Sequence, residues 1–216
     1  MSIIEKYAFK GVGIFLIFGD PISMVGDVLL LPANIDILNP EGIAYDMIHI
    51  GGGSIKAELQ KVDTESIGYG CIVSTTAGFL SYENIFHLII VDYRNRKCEN
   101  NIFALQQLVD VNESAFKMTE ELSLNTIVSP VIGLEQGYLP GMCAEAVLQG
   151  LIEFSNEFPN NHSLQKLYVC STDLYILHIF VETFNKLIYP DPTQSAYKPQ
   201  FKPKREEDYH NQQRPQ

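Results

Sequence analysis

The chain has no closely spaced cysteine pair, no long apolar run, few basic side chains and no internal repeat. Cys71, Cys98, Cys143 and Cys170 are scattered, without histidines at ligand spacing, which argues for reduced core thiols over a disulfide frame or a zinc site. No metal or cofactor is called for. The longest apolar run, Val12 to Phe18, is too short to span a bilayer. Lys6 and Lys10 precede it but no small-residue cleavage site follows, so it reads as a first strand and not as a signal peptide. The expected location is intracellular, cytoplasmic or nuclear, with no membrane partner. With 15 Lys and Arg against 26 Asp and Glu, the formal charge of −11 argues against bulk attraction to DNA, RNA or an anionic membrane. A small anionic ligand stays compatible, because backbone amides at a helix start supply a local positive field whatever the net charge.

What is present fits one ordinary domain: 216 residues, 46% of them hydrophobic. Gly11 to Phe18 and Val28 to Leu31 are continuous apolar runs without helical period, as expected of strands buried on both faces. Residues 43–62 are helix-like, with Ile48, Ile55 and Leu59 at helical spacing, and Gly51-Gly52-Gly53 is expected to break or kink the segment. Residues 70–75 and 85–91 read as two strands joined by a short connection. Asn100 or Asn101 can cap a long helix from Ile102 to about Leu122. Then follow a strand over 126–132, a helix over 141–158, a strand over 167–170 and a helix over 173–187 capped by Ser171 or Thr172. This alternation predicts an α/β domain with a largely parallel sheet covered on both sides. The composition changes after Tyr189: Pro190, Pro192, Pro199, Pro203 and Pro215 lie among charged and polar residues. The expected organisation is a domain over 1–189 and a disordered tail over 190–216. Lys202, Lys204 and Arg205 in that tail offer a contact for an acidic partner; a solvated linker or packing on a neighbour explains them equally.

Two loops carry the chemistry. Pro40-Glu41-Gly42-Ile43-Ala44 runs from the strand Asp27 to Asn34 into a helix, and Gly133-Leu134-Glu135-Gln136-Gly137-Tyr138 links the strand over 126–132 to a helix beginning near Pro140. Glycine-bearing strand-to-helix loops present unpaired N–H groups beside the positive end of a helix dipole, which suits phosphate. Two of them suggest a ligand with a diphosphate between two larger groups.

In order along residues 11–188, the chain resembles a macrodomain, the ADP-ribose-binding α/β/α module. Gly19-Asp20-Pro21-Ile22 resembles the family's Gly-Asp-Ile turn; Pro32-Ala33-Asn34 resembles the end of its Asn-Ala-Ala-Asn strand. Gly42-Ile43-Ala44 with Ile48-His49 resembles the first phosphate loop and its helix, and Gly133 to Tyr138 the second. The segment 70–78 with Phe86-His87, and Tyr168 to Ser171, resemble further strands, the last ending beside adenine. The resemblance implies a three-layer α/β/α fold with a mixed, largely parallel sheet. It implies a site for ADP-ribose, free or on protein: Asp20 accepting from the adenine amino group, the Ile22 backbone and Ser171 beside the ring, and Asn34 near the distal ribose. The amides of Gly42, Ile43 and Ala44 and of Gly133, Leu134, Glu135, Gln136, Gly137 and Tyr138 would cradle the diphosphate.

The departures matter too. Where some hydrolases of the family carry an aspartate after the loop glycines, this chain has Ala44 and Tyr45, with Asp46 the nearby acid. The Gly42-Ile43-Ala44 wording is closer to the branch that hydrolyses ADP-ribosyl-glutamate and ADP-ribosyl-DNA. That branch relies on a lysine after the central strand, where this chain has Val91-Asp92-Tyr93, unless Lys97 swings in, and in some members on an aspartate in the second loop, where this chain has Glu135. Recognition with weak or no catalysis is therefore expected. The alternatives are an ADP-ribosyl hydrolase using Asp46 or Glu135 to orient water, and a degenerate scaffold, because Pro40 lacks an N–H donor. Plainer roles stand beside these: Asp20 before Pro21 suits a turn, Asn34 can cap one, His49 and His87 lie in apolar patterns, and Glu135 can be a solvated loop charge.

Overall fold

The structure, a computed structural model, describes residues 1–94, 101–159 and 162–190. Asn100, Lys97, Cys98 and residues 191–216 of the expected tail over 190–216 lie outside the described residues, and of Asn101 only the main chain is described. The elements in chain order are β1 (Ser2–Phe9), β2 (Val12–Phe18), β3 (Val28–Ala33), α1 (Gly42–Gly51), α2 (Gly53–Leu59), β4 (Ile72–Thr76), β5 (Asn84–Ile89), α3 (Asn101–Glu121), β6 (Thr126–Pro130), α4 (Pro140–Glu157), β7 (Lys166–Ser171) and α5 (Leu174–Ile188). The strands form one sheet in the order β1-β2-β7-β6-β3-β5-β4. The inner pairings β2/β7, β7/β6, β6/β3 and β3/β5 are parallel, and the outer pairings β1/β2 and β4/β5 are antiparallel.

Burial follows this order. Val28 to Leu31 and Ile85 to Ile89 are fully enclosed, as strands covered on both faces must be. Helices α3, α4 and α5 pack on one face around Phe86, Phe116, Phe154, Phe180 and Phe184. On the other face α1 and α2 pack through Met47, Ile48, Ile55 and Leu59 onto Leu29, Leu31 and Ile85. The result is a three-layer α/β/α sandwich with a mixed, largely parallel sheet. Gly52, at φ 93°, caps α1 and starts α2, so the glycine triplet breaks the helix as expected.

Three local expectations are corrected. Val12–Phe18 is the second strand: Ser2–Phe9 precedes it as an edge strand, mostly exposed, with Glu5 and Lys6 beside a register shift that discourages further pairing. The two join through Lys10 and Gly11, at φ 50° and 82°, and Phe9 faces Val12, which is the tight hairpin turn that matches strand twist. The cap of α5 is Asp173, whose carboxylate accepts from Tyr175 N at 2.8 Å, in place of Ser171 or Thr172. Cys143 and Cys170 are free and buried, but Cys71 is exposed. Among the described residues no helix is long and apolar enough to cross a membrane.

Candidate functional site

In a parallel sheet every strand points its carboxyl end the same way, so the loops after β2, β3, β5, β6 and β7 gather at one edge. The chain leaves β3 into α1 on one face and leaves β6 into α4 on the other. β3 and β6 are neighbours, and diverging connections between neighbours open a crevice at their carboxyl ends. A cleft of about 460 Å³ lies there, lined by Asp20, Ile22, Ile43, Asp46, Glu135 and Ser171 among others.

At one end the Asp20 carboxylate accepts from Ile22 N at 2.9 Å and starts a short turn over Pro21–Ser23. The buried Tyr82 hydroxyl donates to Pro21 O and pins that turn from below. Burial holds this phenol above its usual range, with Cys170 and Asp20 adding to the shift, so it stays a donor at neutral pH. Ser171 O accepts from Gly19 N at 3.0 Å, and its hydroxyl accepts from Asp173 N at 3.0 Å, which ties the ends of β2 and β7 together. Beneath them the Cys170 thiol meets Met24 Sδ at 3.1 Å; burial pushes it up to about 12, so it is not a nucleophile.

In the middle of the cleft stands the start of α1. A helix leaves its first N–H groups without intrahelical partners, and Glu41 at the cap position makes no side-chain bond to them. Ile43 N donates instead to Glu135 Oε2 at 3.2 Å, a contact between residues 92 positions apart in sequence. Gly42 has φ 55°, and a Cβ there would overlap the Glu135 carboxylate, so the glycine is what lets this close approach form. Asp46 and the exposed His49, stacked on Tyr45 at 5.9 Å, lie further along the helix.

The second loop departs from expectation. Four of its N–H groups are spent locally: Leu134 N on Val131 O, Gln136 N and Tyr138 N on Gly133 O, and Gly137 N on Leu134 O. The amides of Leu134, Gln136, Gly137 and Tyr138 therefore do not form an anion cradle. A run of tight turns in which each N–H reaches back three to five residues satisfies the loop by itself, a pattern that glycine spacing does not reveal. Gly133 lies against Leu108 and Tyr138, and Gly137 against the main chain of Tyr93 and Arg94. Tyr138 is buried edge-on to Tyr93 at 4.9 Å. These three residues shape the loop and do not line the cleft. Leu134 and Glu135 do.

Beyond Glu135 lies a second pocket of about 20 Å³, lined by Asn34, Ala44, Glu41, Arg94 and Gln136 among others. Asn34 Oδ1 and Gln136 Oε1 are buried without a hydrogen-bond donor among the described residues. Two bare acceptors in one pocket suit a hydroxyl group. The Arg94 guanidinium spans its rim, 2.9 Å from Glu41 and 2.6 Å from Asp92, and Tyr93 N donates to Gln136 O at 2.8 Å. These contacts bind the segment after β5 to both loops. Asp92 and Arg94, two positions apart just past a buried strand, are the sequence signal that could have found this cluster, in which Arg94 pairs with Asp92 and Glu41.

His87, on β5, is 1% exposed, and its Nε2 lies 3.0 Å from Thr75 Oγ1 on the neighbouring strand. It also borders the small pocket, but burial holds its imidazole down at about 4 against 6.5 for an open ring, with the Glu58 charge pulling weakly the other way. This makes it a neutral core residue. Between those two values the unfolded chain takes up a proton that the folded chain refuses. Stability is therefore full above about pH 6.5 and falls towards pH 4, by on the order of 3 kcal/mol from this group. Urea unfolding at pH 7 and at pH 4.5 should show a larger acid loss for the wild type than for His87→Gln. Equal losses would remove His87 as the cause.

Among the described residues no group of three or more His, Cys, Asp or Glu side chains is placed to hold a metal ion. Residues 31–148 match the family described as Macro domain, more than half of the chain. An uncharacterised protein of Saccharolobus solfataricus is 26% identical over 184 residues, 82% of this chain and 96% of that protein. The human protein mono-ADP-ribosyltransferase PARP14 is 22% identical over 134 residues, 61% of this chain but only 7% of the human protein's length. A solved macrodomain of Oceanobacillus iheyensis with ADPR superposes with a TM-score of 0.74 at 18% identity, covering 85% of this chain and 98% of that one. A sheet of this order, a crevice between β3 and β6, and a sequence match across the strand and helix that form it agree with one another: the chain belongs to the macro domain family.

Proposed function

We propose that the cleft binds ADP-ribose, free or attached to protein, with weak or no catalysis. The observation that carries this reading is the Ile43 N–H engaged by a carboxylate at the start of α1, inside a cleft of about 460 Å³ that also takes in Asp20, Ile22 and Ser171. A main-chain donor at a helix start that already accepts one anion suits the diphosphate, and Gly42 and Ala44 offer the adjoining amides. The adenine end lies at Asp20, Ile22 and Ser171. The distal ribose hydroxyls meet Asn34 and Gln136, whose bare oxygens call for donors. The binding unit is residues 1–189, with 190–216 appended.

Charge-assisted hydrogen bonds to the phosphates contribute roughly 1.5–3 kcal/mol each. A few of them, after association costs of at least about 4 kcal/mol, give micromolar binding. Calorimetric titration of the full chain with ADP-ribose should yield a dissociation constant in that range. No heat of binding at millimolar ligand would sink the reading.

Hydrolysis is the second reading, favoured by Asp46 and Glu135 lining one cleft. A carboxylate that orients water contributes about 10²–10⁴-fold, so a hydrolase would lose nearly all turnover in Asp46→Ala or Glu135→Ala. The scaffold reading has the Glu135 carboxylate on Ile43 N in its favour, but residues 42–44 form the first turn of α1 and Gly42 and Ile43 line an open cleft.

A further inference from the structure

We propose that Glu135 is a tethered stand-in for the ligand's phosphate, a specificity residue that makes the cleft accept a nucleoside readily and a diphosphate only after its own carboxylate is displaced. The inference rests on the ADP-ribose reading for the identity of the ligand, but its geometry belongs to the unliganded protein.

Three observations converge on it. The Glu135 carboxylate takes the Ile43 N–H at 3.2 Å, at the helix start where main-chain donors would meet an incoming phosphate oxygen. The same carboxylate fills the space a Cβ on Gly42 would need, so it rests against the start of α1 although Glu135 itself stays exposed. The loop that delivers it is held in place: the amides of Leu134, Gln136, Gly137 and Tyr138 are paired locally, and Gln136 O accepts from Tyr93 N at 2.8 Å. Glu135 is thus presented to α1 by a braced turn. Asp20, also at the cleft, is engaged with its own turn and does not reach the helix start.

The charges set the consequence. A diphosphate entering this cleft would meet Glu135, with Asp46 nearby on α1, and like charges a few ångströms apart repel by an amount that grows as water is excluded. Displacement is therefore part of binding for any ligand with phosphates, and no part of binding for adenosine. Glu135→Gln keeps an acceptor for Ile43 N and removes the charge; Glu135→Ala removes both.

Titration of the wild type and both variants, as full chains, with ADP-ribose, inorganic pyrophosphate and adenosine tests this. Both substitutions should tighten ADP-ribose and pyrophosphate by about tenfold, the equivalent of about 1.4 kcal/mol, and leave adenosine within about twofold. In the unliganded protein the Ile43 amide should exchange its hydrogen faster in Glu135→Ala than in the wild type. ADP-ribose bound by the wild type with equal or better affinity than by both variants would overturn the inference and leave the ADP-ribose reading standing. Pyrophosphate bound more tightly by the variants, with ADP-ribose bound by none, would uphold the inference and overturn that reading. Silence from both ligands in all three proteins would overturn both.

Discussion

Replacing Asp20 with asparagine is expected to weaken ADP-ribose binding by about 10- to 100-fold without lowering the melting temperature. Asp20 has two tasks that this substitution separates. One carboxylate oxygen accepts from Ile22 N at 2.9 Å and starts the turn over Pro21–Ser23. An asparagine oxygen performs that task equally well, and Tyr82 still pins the turn through Pro21 O. The other task, which the proposed ADP-ribose reading assigns to it, is to accept from the adenine amino group, and there the amide nitrogen of asparagine sets a donor against a donor. A hydrogen bond to a charged acceptor contributes about 1.5–3 kcal/mol, and an unpaired donor left facing another adds to the loss. At about 1.4 kcal/mol per tenfold, this gives the stated range. A ligand with a carbonyl in place of the adenine amino group should show the opposite preference, binding the asparagine protein better than the wild type. Calorimetry with both ligands, alongside thermal melts, reads all of this. Unchanged ADP-ribose affinity in a fully folded Asp20→Asn protein would move the adenine elsewhere.

Phe154→Ala should cost about 3–5 kcal/mol and lower the melting temperature by about 6–20 °C. Phe154 is fully buried on α4, where it meets Phe116 of α3 at 6.1 Å, Phe158 at 5.2 Å and His162 at 5.2 Å between ring centroids. Truncation removes those contacts, each worth about 0.5–1.5 kcal/mol beyond the area they bury, and leaves a cavity between two helices. The helices cannot close over it, because Gly150, one turn earlier on α4, already lies against the backbone of α3 at Val109 and Glu113. Phe79→Ala is the control: Phe79 is 89% exposed, and its loss should change stability by less than about 0.5 kcal/mol. Differential scanning calorimetry of the three proteins decides the matter, and a drop of under about 3 °C for Phe154→Ala would show that the α3–α4 contact is not what closes this face.

Much of the fold was legible in residue patterns. Val28 to Leu31 read as a buried strand because a parallel strand covered on both faces needs apolar residues at every position, and residues 85–91 read as a strand although His87 interrupts the run. The break at Gly51-Gly52-Gly53 was legible because glycine at positive φ ends a helix whatever surrounds it. Ser2–Phe9 was not. An edge strand buries only part of one side, so Glu5 and Lys6 interrupt its alternation at no cost to the fold. The site divides in the same way. Asp20, Ile22, Gly42, Ile43, Asp46, Glu135 and Ser171 meet in the larger cleft, Asn34, Ala44 and Gln136 in the smaller pocket. Arg94 and Glu41 joined the second group unannounced.

The sequence by itself determined the alternation of strand and helix, the turns at Asp20 and Gly42, and a charge balance that disfavours polyanions, because periodicity, φ preference and composition are local properties that each segment carries wherever it sits. Only the tertiary structure decided that the second loop spends its amides on itself and sends Glu135 to the start of α1. That choice depends on which neighbour lies within about 3 Å of an exposed carboxylate. Such proximity, between residues 92 positions apart, comes into being only when β3 and β6 lie side by side and their helices part to opposite faces.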